Sequence, residues 1–357
     1  MKPNIKDFDL SELKELLLSS GEQRYRAEQV LRAIYIYRIS SFDEIKIIPK
    51  HLRDYLTEKF KITVFRNISY QHSSDGTIKF LFHLSDGEAI ESVLIPSEFV
   101  NNKKSGSRKT LCVSTQVGCT FNCAFCATGK LKFKRNLNTS EIIEQYLQAE
   151  KFIGEKITNI VFMGMGEPLL NYDNVKKAVI ILLYPMFKLI NSKKITISTS
   201  GFIPGIIKLA DEHLPVKLAL SLHATTQGLR DKLLPNCKSW KLKELFDSME
   251  YYYRKTSTPV TYEYILFDGI NDTQDDIKRL SRISKRIPSK INLIPFHTID
   301  FTNPTGFSET LKPASGNKIH WFLRELKNKG INAFLRTSSG LDIDAACGQL
   351  ALKSGLS

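Results

Sequence analysis

The sequence predicts an α/β fold: a partial (β/α)6 barrel preceded by a helical subdomain and a β-hairpin extension. Three observations carry this. Apolar runs with no polar face recur from residue 110 onward, helical stretches lie between most of them, and glycines or isolated polar residues follow the runs. Strands that are apolar on both faces and alternate with helices form a parallel sheet covered by crossover helices. About six such units make a barrel open on one side.

Residues 1–60 are the helical part. Asp9 and Glu12 have capping-box spacing ahead of Leu13, Leu16 and Leu17, and Gly21 ends that helix. Tyr25, Ala27, Leu31, Ile34 and Tyr35 mark a second helix, and Pro49 opens a third. With "RYR" and "YIYR" in it, this subdomain reads either as an RNA-contacting module or as a plain helical cap. Over 61–108 the period changes to alternation, and Asp86-Gly87 inside "IKFLFHLSDGEAIESVLIP" signals a hairpin. Glu91 shares a strand face with Ala89, Val93 and Ile95. It is either a half-exposed edge residue or a base whose proton affinity is raised by burial. "NNKKSGSRK", 101–109, reads as a polar basic linker.

The barrel occupies 109–357. Its strands are expected at 110–116, 158–164, 194–199, 216–222, 260–267 and 291–296, with a short one at 333–336. The segment 140–153 is one of the intervening helices.

The chain has 357 residues, of which 42% are hydrophobic, enough for a large core and too many for a disordered chain. No apolar run reaches the ~18 to 20 residues of a membrane span. The acidic N-terminal stretch is no secretion signal, so a cytoplasmic protein, monomeric in the simplest case, is expected. The formal net charge of +14 either attracts a polyanion or simply keeps the surface solvated.

Of six cysteines, three fall in "CTFNCAFC" as Cys119, Cys123 and Cys126. A structural zinc wants four protein ligands and a catalytic one usually includes histidine, and no fourth ligand lies nearby in sequence. A 4Fe-4S cluster held by three thiolates instead leaves one iron open to a chelating molecule. Polar or glycine residues also stand at the carboxyl ends of the strands: "GMGEP" (164–168), "STSG" (198–201), "SLH" (221–223) and "PFH" (295–297). Each alone could be a turn or a helix cap. On one rim of one barrel they mark a ligand site, with glycines that admit backbone close to a ligand and Glu167 placed to neutralise an ammonium group.

"CVSTQVGCTFNCAFCATG", "FMGMGEPLLN", "STSG", "SLHA" and "DIDAACGQL" resemble the radical S-adenosylmethionine (SAM) RNA methyltransferases of the RlmN/Cfr family. The resemblance runs from about Glu91 to Leu350, and Pro168 is similar to the RlmN branch. It implies a radical SAM barrel with one [4Fe-4S] cluster on Cys119, Cys123 and Cys126. It implies contacts to S-adenosylmethionine from Gly166, Glu167, Ser198, Ser221, Leu222 and His223. His297 stands where the family commonly has asparagine.

The implied reaction methylates carbon 2 of adenosine in 23S rRNA, near the peptidyl-transferase region, and in many members in tRNA just 3′ of the anticodon. It uses two S-adenosylmethionine molecules per turnover and a flavodoxin- or ferredoxin-type electron donor. In family terms, Cys347 carries the methyl as S-methylcysteine, Glu91 accepts the ring proton, and Cys112 closes a transient disulfide with Cys347. Cys237 stays a small buried hydrophobe. "KLKFKRNL" (130–137) offers Lys130, Lys132, Lys134 and Arg135 around Phe133, either as an RNA contact or as a solvated basic stretch. Three rival readings stay open: a carbon-8 adenine methyltransferase of the Cfr type, a radical SAM enzyme acting on protein, and a non-catalytic RNA-binding metalloprotein.

Overall fold

The structure, a computed structural model, describes residues 2–97 and 108–352. Up to residue 107, the basic linker read at 101–109 lies outside them.

Three helices lead: α1 (Leu10–Ser19), α2 (Tyr25–Tyr35) and α3 (Lys50–Lys59). Asp9 caps α1 as its spacing predicts, accepting from the Glu12 amide while the Glu12 side chain accepts from Asp9 N–H, and Pro49 precedes α3. This layer shares one continuous apolar core with the barrel. A buried ion pair reinforces the contact, with Lys6 Nζ 2.5 Å from Glu144 Oε2 and both side chains 5% exposed.

Next come β1 (Asn67–His72), β2 (Ile78–His83), β3 (Ala89–Ser97) and β4 (Arg108–Cys112), all antiparallel. The expected Asp86-Gly87 hairpin joins β2 to β3. An earlier hairpin at Asp75-Gly76 joins β1 to β2 and was passed over in the sequence, although Asp-Gly there carries the same turn signal. A short antiparallel ladder follows, β5 (Gln116–Val117) with β6 (Arg135–Asn136).

From β4 onward the pairing is parallel. The remaining strands are β7 (Asn159–Phe162), β8 (Ile195–Thr199), β9 (Lys217–Ser221), β10 (Val260–Leu266), β11 (Ser289–Pro295) and the short β12 (Ala333–Leu335). The crossovers are α4 (Thr139–Ile153), α5 (Tyr172–Leu183), α6 (Ile203–Asp211), α7 (Gln227–Leu233) with α8 (Leu242–Thr256), α9 (Gln274–Ser284) and α10 (Gly316–Asn328). Among the described residues, all the strands except β5 and β6 form one sheet of ten in the order β1-β2-β3-β4-β7-β8-β9-β10-β11-β12. The extension is therefore not a separate flap: it continues the barrel wall beyond β4. That continuity places Glu91 on an interior strand, 1% exposed, and removes the half-exposed edge reading. Among the described residues no helix is long and apolar enough to cross a membrane.

Candidate active site

The cysteine loop leaves β4 and arches over the carboxyl ends of the parallel strands. Asn171 Nδ2 holds its base, donating to the carbonyls of Thr115 and Leu137 at 2.8 Å each. The loop is also stitched to the end of the chain: Ala127 N–H donates to Gly348 O at 2.7 Å and Thr128 Oγ1 to Leu350 O at 2.6 Å. Cys347 is thereby fixed beside the three loop thiols although more than 200 positions separate them.

Beneath the loop lies a cavity of about 110 Å³. Its wall brings together Cys119, Cys123, Cys126, Gly166, Glu167, Ser198, Ser221, His223 and Cys347. Leu222 and His297 are not on that wall. Leu222 is buried and its carbonyl accepts from Arg230 Nη1 at 2.7 Å, while His297 Nε2 pairs with Ser338 Oγ at 2.5 Å.

Glu167 is 2% exposed and has no cationic partner among the described residues. Burial pushes its carboxyl up to about 7, against the amides of Ser200 and Leu169 that donate to it at 2.8 and 3.2 Å. Such a group favours a positive ligand, because a cation repays the cost of burying the carboxylate.

Gly166 has a different job from the one its motif suggests. Its φ is +97°, and a Cβ there would stand 2.5 Å from Gln116 Cβ. The glycine lets the "GMGEP" turn press against residue 116, whose Oε1 accepts the Glu167 N–H at 2.9 Å.

Burial lowers the His223 imidazole to about 3, so it is neutral. Its Nδ1 takes the Ile265 N–H at 3.1 Å. An amide can only donate, so the ring proton sits on Nε2 and is available as a donor.

Among the described residues no three ligating side chains close on a single metal ion. Yet the three thiols share one wall, and burial pushes Cys119 to about 12 and raises Cys123 and Cys126 as well. A cluster gives each thiolate its own iron, so its ligands stand wider apart than those of a lone ion, and it supplies the positive charge that ionises them. The residues fit a cluster better than zinc.

Cys112 and Cys347 are both free thiols. Cys112 is buried, and burial first and then the nearby Cys347 push it up to about 12. Cys347 is exposed; the protein around it raises its thiol, and Arg336 opposes that. Val93 pairs in register with Cys112, which puts Glu91, two residues earlier, on the same sheet face. Glu91 Oε2 accepts from the amides of Ala351 and Leu352 at 2.9 and 3.3 Å, and Lys79 lies 3.7 Å from its other oxygen. Burial is the largest influence on Glu91 and raises its carboxyl.

Sequence reading missed Glu263, Arg230 and Arg336. Glu263 interrupts the all-buried strand β10, a carboxylate in an apolar run that could have been flagged. Arg230 is 2% exposed and grips the carbonyls of Ser221, Leu222 and Ser200 at 3.0, 2.7 and 2.5 Å. As one more basic residue on a short helix it left no signal in the sequence. In the basic stretch, Lys134 is paired with Glu88, and Arg135 with Asp86 and Glu141. Phe133 stays 43% exposed beside Lys132.

A partial β/α barrel with a three-thiol loop after its first parallel strand and an unpaired carboxylate on the same rim defines the class of radical SAM enzymes. The comparisons agree. The radical SAM superfamily matches residues 113–280, and the ribosomal RNA large subunit methyltransferase N-terminal domain matches residues 3–62. A probable dual-specificity RNA methyltransferase RlmN from Thermotoga sp. (strain RQ2) is 44% identical over 98% of both chains. Its counterpart from Geobacillus kaustophilus (strain HTA426) is 40% identical over 98% of this chain and 93% of its own. The crystal structure of a radical SAM methyltransferase from Sphaerobacter thermophilus superposes with a TM-score of 0.87 at 37% identity, covering 98% of this chain and 99% of that one. The chain belongs to the RlmN family of radical SAM RNA methyltransferases.

Proposed function

We propose that the protein methylates carbon 2 of adenosine in 23S rRNA and in tRNA. The observation that carries this reading is the meeting of Cys347 with the three loop thiols and Glu167 on one cavity wall, with Cys112 and Glu91 on the adjoining face of the sheet. A binding site alone would have no use for a fourth thiol held against the loop of three.

In this reading Cys119, Cys123 and Cys126 hold the cluster. Glu167 takes the ammonium of S-adenosylmethionine, and Ser198, Ser221 and His223 orient the rest of it. Leu222 and His297 act from just outside the cavity, Leu222 through its backbone. Held on the three thiolates, the cluster would supply the single electron that cleaves S-adenosylmethionine to the hydrogen-abstracting 5′-deoxyadenosyl group.

The chain's own thiols then solve the chemical problem. Carbon 2 of adenine is electron-poor and does not attack a methyl cation equivalent. Cys347, as the thiolate, takes a methyl from one S-adenosylmethionine by displacement at carbon. Loss of a hydrogen atom from that S-methyl group makes a carbon radical, which adds to carbon 2 and leaves RNA joined to Cys347. Glu91 accepts the ring proton, as its raised proton affinity suits it to do. The adduct also gives up its one unpaired electron, which the oxidised cluster would take back. The Cys112 thiolate then attacks Cys347 sulfur. The carbon–sulfur bond breaks with its electron pair going to the methylene carbon, which takes up a proton, and the methylated RNA leaves as the two sulfurs become a disulfide. An external electron donor, of flavodoxin or ferredoxin type, would supply the two electrons that restore both thiols.

The target base must leave its stack to reach the cavity, so single-stranded or locally opened RNA is the expected substrate. Exposed Phe133 and Lys132 offer it a stacking face and a phosphate contact. The test is nucleoside mass spectrometry on 23S rRNA fragment and tRNA transcripts after anaerobic turnover. A 2-methyladenosine peak is expected from both RNAs, whereas 8-methyladenosine, or no methylated adenosine from an enzyme that still cleaves S-adenosylmethionine, overturns the reading.

A further inference from the structure

The opposite rim of the barrel carries a second cavity, of about 520 Å³. A barrel interior is ordinarily filled by apolar layers. Among the described residues the lower lumen instead holds this cavity, whose lining includes the hydroxyls and amides of Thr196, Thr261 and Asn159. Its mouth is ringed by Arg108, Lys194, Lys217 and Lys290.

These four cations stand at or next to the amino ends of β4, β8, β9 and β11. The register makes them neighbours around the mouth: Lys217 pairs with Thr196, and Lys290 with Thr261 of β10. Among the described residues none of the four has a carboxylate partner. The crowding shows on Lys217, whose ammonium holds its proton less tightly than usual, through burial first and then through Lys290, Lys194 and Arg108. Like charges converging in a recess destabilise one another, and an anion placed among them reverses the sign of every pair.

The two cavities meet back to back at Met163, Glu263 and Arg336, which line both. Asn292 Nδ2 donates to Glu263 Oε1 at 2.9 Å, and Arg336 Nη1 lies 3.9 Å from Glu263 Oε2. Glu263 is the one carboxylate of this lining; it also feels Lys290, but Arg336 stands beside it, so one negative charge faces five positive ones.

We propose that the lower cavity is a binding site for a small molecule carrying several phosphate charges, of the nucleoside polyphosphate or pyrophosphate class. Four cations from four strands call for more than one charge on the ligand, and guanidinium and ammonium groups are the usual partners of phosphate oxygens. The volume falls within the ~300 to 1,000 Å³ typical of small-molecule sites. The concave mouth suits a compact anion better than the wide convex surface of an RNA helix. Hydroxyls and amides deeper in the lumen provide partners for a sugar or base.

The test is calorimetric titration of the reconstituted full-length enzyme with ATP and with pyrophosphate, in parallel with the Lys217→Gln, Lys290→Gln double variant. Both lysines are exposed, and removing them relieves repulsion, so the variant's melting temperature should hold or rise. Saturable 1:1 binding is expected, weakened about tenfold or more by the double variant and by added salt, with S-adenosylmethionine binding unchanged. Absence of binding by both probes overturns the proposal, as does equal binding by wild type and variant. If neither probe binds but the variant loses affinity for a labelled single-stranded RNA, the cations belong to the RNA track and the small-anion site is refuted.

Discussion

Glu91 and Glu167 are both buried carboxylates, and their surroundings give them different tasks. Glu91 has Lys79 and the amides of Ala351 and Leu352 beside it, whereas Glu167 has neutral donors, the Ser200 and Leu169 amides with the Thr199 and Ser200 side chains, and a cavity in front. With its carboxyl near 7, Glu167 is ionised above that pH and neutral below it. An ammonium ligand pairs only with the ionised form. S-adenosylmethionine affinity should therefore fall as pH drops below about 7, toward the lower value that the bound cation itself imposes on the carboxyl. In Glu167→Gln the affinity should drop by about 1.5 to 3 kcal/mol, roughly ten- to hundredfold, and lose that pH dependence. Equilibrium binding of S-adenosylmethionine across pH 5.5 to 8.5 checks both. Cys112→Ala removes the thiol that releases product and should accumulate RNA covalently bound to protein, visible as a slowed band on a denaturing gel. Cys347→Ala should give no adduct, and normal turnover by Cys112→Ala would remove that residue from the mechanism.

At the scale of elements, the site depends on turns that cannot relax. Gly166→Ala would combine a positive φ with a methyl 2.5 Å from Gln116 Cβ. It should cost several kcal/mol, on the order of 2 to 4, from strain and overpacking. A lower melting temperature and lower cluster loading should appear together. The parallel strands, the Asp86-Gly87 hairpin and the α1 cap were legible because each is set by local pattern. So was the rim of motifs, since strand ends are where a barrel carries its chemistry. What stayed hidden were features made by pairing at a distance. The continuity of the extension with β4 buried Glu91, and no single strand reveals which neighbour it will have. The packing reason for Gly166 needed residue 116 on another segment, and the three carbonyls held by Arg230 come from two different strand ends.

For the molecule as a whole, the N-terminal helices and the barrel behave as one body. Lys6 and Glu144 are its buried rivet. Lys6→Ala strands a buried carboxylate and should cost about 3 to 5 kcal/mol, whereas Lys6→Met with Glu144→Leu should recover most of that loss. Thermal unfolding of the two variants distinguishes a tethered appendage from a shared core. The chain end is the other whole-molecule device: Gly348 and Leu350 dock on the cysteine loop, and Ala351 and Leu352 reach Glu91. The thiol proposed to carry the methyl is thus held between the cluster loop and the proposed base. The most direct test of that arrangement is turnover with S-adenosylmethionine deuterated at its methyl group, followed by mass spectrometry of both products. A methyl passed through Cys347 and opened by hydrogen-atom loss should reach adenine carbon 2 with two deuteriums, the third appearing in 5′-deoxyadenosine. A product methyl that keeps all three would mean direct transfer and would contradict the account.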